Sequence, residues 1–247
     1  EVRNAFLAAV LGIDLGEIVE SRILPSHLRQ KDKDDKLGIL DVRVLLNNKE
    51  QIDIEIQVTA SEYWAERTLF YLGKMFTDQL KPGEDYQKLE KCIHIGILNF
   101  TMFEDEEYYS CFHFWSDQGR KMYSDKVEIH TLELPKLAKY EYPETELLKW
   151  LQFINAETKE EFEMAAEKSE YIKKAYEDLN RISADEEKRL EYEARERAIR
   201  DHQYFSTVYK ETGLREGRKE GLKIGRQEGL QEGRQEGRQE GIQAVVE

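Results

Sequence analysis

Asp41, Glu55 and Gln57 are the residues of this chain whose types and spacing suit chemistry. Two carboxylates on neighbouring strands can share Mg²⁺, a hard cation that takes oxygen ligands and keeps waters for a substrate. The main-chain carbonyl of Ile56, between Glu55 and Gln57, is a third oxygen of the right kind. Such an ion, with Mn²⁺ as an equivalent, polarises a phosphate oxygen and activates a bound water for in-line attack. Gln57 follows Glu55 by two residues, so on a strand it projects to the same side and can orient that water. The pattern D…ExQ is weak by itself, because the wet face of an ordinary hairpin carries the same residue types.

Two alternating segments must position these groups. In Leu37–Leu46 the even positions Leu40, Val42, Val44 and Leu46 are apolar, while Asp41 and Arg43 are odd. In Gln51–Val58 the even positions are Ile52, Ile54, Ile56 and Val58, and the odd ones are Gln51, Asp53, Glu55 and Gln57. Period-two alternation predicts a hairpin with one buried and one polar face. The link Asn47-Asn48-Lys49-Glu50 has turn chemistry. A register slip of one would put the apolar set into water, so the even residues of both strands face the core. If Asp41 lies opposite Glu55, Arg43 lies opposite Asp53, a favourable cross-strand pair.

The flanking elements follow from the same patterning. Asn4–Val19 reads as a helix, and Lys31–Lys36 as a polar loop. Ser61–Leu80 is an amphipathic helix with Ser61 as N-cap; Trp64, Leu69, Leu72, Phe76 and Leu80 form its apolar side. Arg67, Tyr71 and Lys74 form a basic and aromatic edge. Cys92–Phe100 is a nearly continuous apolar run and reads as a central strand. Tyr108–Trp115 and Val127–Leu134 are two further strands, with Trp64 and Trp115 as core aromatics. Helices are expected over Glu144–Asn155, Lys159–Asn180 and Ala184–Lys210. From Gly213 to Gly241 glycine recurs every fourth residue, mostly as Q-E-G-R. On a helix this gives a smooth stripe flanked by charge, suited to packing against another copy as a homo-oligomer; a low-complexity tail extended by repeat slippage explains the same pattern.

Composition narrows the classes. The chain has 247 residues and a net charge of −14, with 36% charged residues. Residues 1–100 carry 13 basic and 17 acidic side chains, whereas residues 101–200 carry 16 and 25. A generally basic nucleic-acid coat is excluded, yet a polyanion can approach the nearly balanced first hundred residues. No run reaches the ~18 apolar residues of a membrane span, so no membrane partner is expected. Cys92 and Cys111 are too few and too far apart for a disulfide scaffold or a zinc site, which suggests a reducing, cytoplasmic setting. His27, His94, His113, His130 and His202 show no metal-ligand spacing to each other or to a cysteine. The chain opens at Glu1 without Met and runs at once into an apolar stretch, which points to a missing natural N-terminus.

The segments ILDVRV, QIDIEIQ, AERTLFYLGKMFTDQLKPGEDY and CIHIGILNF, in that order, resemble the family of recombination-promoting nucleases and transposases within the PD-(D/E)XK nuclease superfamily. The resemblance covers about residues 4–135, and the Gly-Glu repeat tail is similar to tails in that family. It implies an α/β fold: a restriction-endonuclease-like αβββαβ core with a mixed central sheet flanked by helices, then a helical C-terminal region. The expected division is a nuclease core at 1–135, a helical region at 136–212 and the repeat tail at 213–247. It implies a Mg²⁺- or Mn²⁺-dependent DNA endonuclease linked to recombination or mobile elements. Asp41 corresponds to the metal-binding Asp and Glu55 to the acid of the second motif, whereas Gln57 stands where the superfamily usually has Lys. Gln supplies hydrogen bonds but no positive charge. Lys36 could return a cation to the site, Arg67 and Tyr71 match the family pattern on the following helix, and Glu20 could be an extra first-helix acid. The rival reading is a catalytically weak or inactive DNA-binding or assembly protein that keeps this fold and self-associates through its tail.

Overall fold

The computed structural model describes residues 1–25 and 41–184, with Arg218 and Gly225. The first compact unit is Glu1–Asp178. The second, Leu179–Glu247, is described only at residues 179–184, Arg218 and Gly225, all helical. Lys36, Leu40, His27, His202, the Lys31–Lys36 loop and nearly all of the repeat tail lie outside the described residues.

The chain begins with α1 (Val2–Leu11). It stops well short of the expected Val19, because Gly12 takes a left-handed conformation (φ 66°) and its N–H returns to Ala8 O. Asp14 and Glu17 then form a capping box around a short 3₁₀ turn. A strand not foreseen from the sequence follows, β1 (Ser21–Leu24). β2 (Val42–Leu46) and β3 (Glu50–Gln57) form the expected hairpin. Asn47 and Asn48 both have positive φ (49° and 56°), the type I′ geometry whose twist matches the flanking strands. Arg43 pairs with Asp53, the register expected if Asp41 lies opposite Glu55.

α2 (Trp64–Thr77) links β3 to the parallel strand β4 (Cys92–Leu98). β5 (Tyr109–Trp115) and β6 (Met122–Glu133) complete a six-stranded mixed sheet in the order β1-β2-β3-β4-β6-β5. β4 is central and buried along its whole length, as its apolar run predicted. The order α1–β1–β2–β3–α2–β4 matches the expected αβββαβ core. α3 (Glu146–Ile154), α4 (Lys159–Glu167) and α5 (Glu170–Ala184) follow; the helix expected over Lys159–Asn180 is broken between α4 and α5.

Two helical layers cover the sheet. On one face α1 and α3 pack Leu7, Val10, Leu148 and Leu151 against Val44, Ile52, Ile54, Ile93 and Ile95. On the other, Tyr71, Leu72 and Met75 of α2 cover Cys92, Val127 and Ile129. This second layer corrects two expectations. The odd face of β3 is not wet: Asp53 and Glu55 are each only 1% exposed. The even set is buried only in its middle, since Val42, Ile56 and Val58 lie beyond the α1–α3 cluster and are exposed. Trp115 is also exposed, at the sheet edge, whereas Trp64 is buried as expected. Among the described residues no helix is long and apolar enough to cross a membrane.

Candidate functional site

Odd residues of β3 and even residues of β4 share the face beneath α2, and the register sets Asp53 beside His94 and Glu55 beside Gly96. Asp53 Oδ2 lies 2.9 Å from His94 Nδ1, and His94 Nε2 lies 3.4 Å from Thr68 Oγ1 of α2. Gly96 has a steric role here. A Cβ at that position would stand 2.9 Å from Trp64 Cζ2, so the bare backbone admits the indole close to the sheet. Trp64 also contacts the His94 ring at 5.7 Å between centroids.

Seating Trp64 brings Arg67, one turn further along α2, over Glu55. The guanidinium lies 5.6 Å from the Trp64 ring centre and 5.7 Å from that of Tyr71, a cation–π sandwich. Its Nη2 donates to Glu55 Oε1, and its Nη1 is 3.4 Å from Gln57 Oε1. Gln57 Nε2 donates to Thr59 O at 2.7 Å. Two buried carboxylate oxygens, Asp53 Oδ1 and Glu55 Oε2, have no hydrogen-bond partner among the described residues. Burying a charged oxygen without a donor is costly, so such atoms mark a place where a cation fits.

Asp41 immediately precedes β2, and continuing the register of Val42 with Ile54 brings it opposite Glu55. It is exposed, and its Oδ2 accepts a hydrogen bond from Ile56 N–H at 3.2 Å. Asp41 thus meets β3 at the Glu55–Ile56 peptide, with the Ile56 side chain outside at 54% exposure. The compact ligand-type group beneath α2 is Asp53, Glu55 and His94, whose donor atoms lie within 4.8 Å of one another.

The other sequence-derived candidates divide. Arg67 reaches both Glu55 and Gln57. Tyr71 is buried in the α2 layer and backs the guanidinium, instead of forming an open edge. Leu69, expected inside, is exposed, because Thr68 and Tyr71 take the inward positions over His94 and Cys92. Glu20 accepts from Asn48 Nδ2 at 2.7 Å beside the β2–β3 turn, at the opposite end of the hairpin from Glu55. Burial pushes the Cys92 thiol up to about 12, so it stays a neutral partner of Gln79. Asp53, His94, Thr68 and Gly96 were not singled out from the sequence. Asp53 shares the parity of Glu55, and His94 and Gly96 interrupt an otherwise apolar run, which were the available signals. Nor are the histidines isolated: strand pairing brings His113 and His130 to Cys111 and Glu128.

A family model described as PD-(D/E)XK nuclease family transposase matches residues 1–207. No curated protein and no solved structure matches the chain.

Proposed function

Because the chain belongs to the PD-(D/E)XK nuclease family of transposases, we propose that it is a divalent-metal-dependent DNA endonuclease acting in recombination or on mobile elements. The observation that carries this reading is Glu55 Oε2, a buried carboxylate oxygen without a donor among the described residues, on a residue facing Asp41 across the hairpin. Asp41, Glu55 and the Ile56 carbonyl would hold Mg²⁺ or Mn²⁺, hard ions suited to an all-oxygen donor set. When bound, the ion supplies Lewis acidity toward a phosphate oxygen and a water of lowered pKa.

The chain's own residues supply the remainder. Gln57 orients the attacking water through its carboxamide, whose Nε2 is anchored on Thr59 O. The positive charge that Gln57 lacks is available from Arg67, whose guanidinium touches both Gln57 and Glu55 and can bind a phosphate oxygen. Tyr71 and Trp64 hold that guanidinium in place. Lys36 is a second candidate phosphate contact. The pair Asp53–His94 braces the strand beneath Glu55.

One observation favours the rival reading. Arg67 already neutralises Glu55, as it would in a protein that keeps the fold to bind or assemble on DNA with weak or no cleavage. Incubation with supercoiled plasmid, with and without Mg²⁺ or Mn²⁺, separates the two. The endonuclease reading expects metal-dependent nicking that Asp41→Ala abolishes. Nicking retained by Asp41→Ala removes the site, and DNA binding without nicking favours the rival. Self-association through the repeat tail is tested by deleting residues 213–247, which should lower the mass measured by light scattering.

A further inference from the structure

A second group of ligand-type side chains lies on the edge pair β5–β6. Glu128 and His130 are in register with Ile93 and Ile95, so they belong to the sheet face opposite the Asp53–Glu55–His94 group. Each strand offers alternate residues to this point, Cys111 and His113 from β5 and Glu128 and His130 from β6. Cys111 Sγ is 3.8 Å from Glu128 Oε1 and 4.0 Å from His130 Nε2, and those two atoms are 2.7 Å apart. His113 Nδ1 is 3.7 Å from Cys111 Sγ, and its Nε2 is 3.3 Å from Glu128 Oε2. Zn–N distances of ~2.0–2.1 Å and a Zn–S distance of ~2.3 Å set tetrahedral edges of about 3.3–3.6 Å, close to this spread.

The surroundings prepare the donors. Tyr109 OH donates to Val10 O at 3.3 Å, so toward His130 Nδ1, 3.0 Å away, it can only accept. That assigns the proton to Nδ1 and leaves the Nε2 lone pair pointing at Cys111 and Glu128, the arrangement in which an outer partner orients a metal-binding histidine. Lys91 Nζ pairs with the other oxygen of Glu128, Oε2, and leaves Oε1 turned toward His130. Nε2 and Oε1 face each other at 2.7 Å, a separation that a bridging proton or a cation satisfies. The sulfur selects a softer ion than Mg²⁺.

We propose that Cys111, Glu128 and His130, with His113 as the fourth donor, form a binding site for a Zn²⁺-type transition-metal ion. It is separate from the Asp41–Glu55 site. Binding replaces the Cys111 S–H bond with a metal–thiolate bond and releases the proton to solvent. The sequence concealed the site because its ligands are spaced by strand pairing across β5 and β6, not by a contiguous cysteine–histidine motif.

The test is a Co²⁺ titration of the full chain under reducing conditions, read as thiolate-to-cobalt charge-transfer absorption. The proposal expects a thiolate band that saturates at one ion per chain and that Zn²⁺ displaces, its loss in Cys111→Ser and its retention in Cys92→Ala. Tyr109→Phe should weaken binding about tenfold or more through the loss of the outer partner. Glu55→Gln should leave the band intact, which separates this site from the nuclease reading. No band in the wild-type chain, or a band that persists in Cys111→Ser, would overturn the proposal.

Discussion

Replacing Arg67 by Met tests the most unusual feature of the α2 face, a carboxylate sealed under a helix and held from one side. Glu55 is 1% exposed, and its Oε2 already has no partner among the described residues, so Arg67→Met leaves both oxygens unsatisfied there. Removing one member of a buried ion pair costs about 3–5 kcal/mol. The Arg67 side chain is 38% exposed, so solvent screening lowers the ionic part to about 2–3 kcal/mol. The contacts with Trp64 and Tyr71 add about 0.5–1 kcal/mol each. The expected loss is about 3–5 kcal/mol, or a Tm lower by about 10 °C for a unit of this size. Urea unfolding in EDTA, followed by tryptophan fluorescence, measures it. In the double variant Glu55→Gln/Arg67→Met the uncompensated charge is gone, so at least about 1.5 kcal/mol should return as coupling. A single-variant loss under about 1 kcal/mol, or additive singles, would refute burial of Glu55 under Arg67.

Gly96→Ala should cost about 1–3 kcal/mol in urea unfolding and alter the near-UV signal of Trp64, since the new methyl group meets the indole. Asn47→Ala should cost about 1–2 kcal/mol, because it removes the acceptor of Val19 N–H and Glu20 N–H and places Ala at positive φ. Lys136 is buried against Glu133 and Asp105, so Lys136→Met should cost about 3–5 kcal/mol. Burial alone would lower the Lys136 pKa, but those two hydrogen bonds raise it above the ordinary 10.5. The stability gap between wild type and Lys136→Met should therefore be full below pH 10.5 and narrow as pH rises through the folded-state value, which unfolding curves at a series of pH values would follow.

Strand alternation made the hairpin and its faces legible, because a one-residue slip would expose Ile52 and Ile54; Arg43 opposite Asp53 followed only if Asp41 faced Glu55. The same alternation misled about the polar face. Asp53, Glu55 and Gln57 read as solvated from their own strand, and only the parallel neighbour β4 and the overlying α2 reveal that two of them are buried. The inward side of α2 is hidden for the same reason: a hydrophobic stripe favours Leu69, whereas the sheet beneath sets Thr68 over His94 and Tyr71 over Cys92, Val127 and Ile129. β1 escaped notice because four residues before Pro25 carry too little periodicity, and its identity comes from pairing with β2. Asp41 is legible in the alternation of its strand and Arg67 on the edge of its helix, and the family resemblance supplies the roles expected of both. Asp53 and His94 needed the sheet register, which no single strand encodes.

The proposed nuclease function requires Asp41 and Glu55 to grip one divalent cation at the end of the β2–β3 hairpin. Mn²⁺ binding, followed by loss of the free-ion EPR signal in a Cys111→Ser background that removes the thiolate ligand, tests this directly. Saturation at one ion per chain is expected, with affinity reduced at least about tenfold in Asp41→Ala and again in Glu55→Gln. An isotherm that these two substitutions leave unchanged would contradict it.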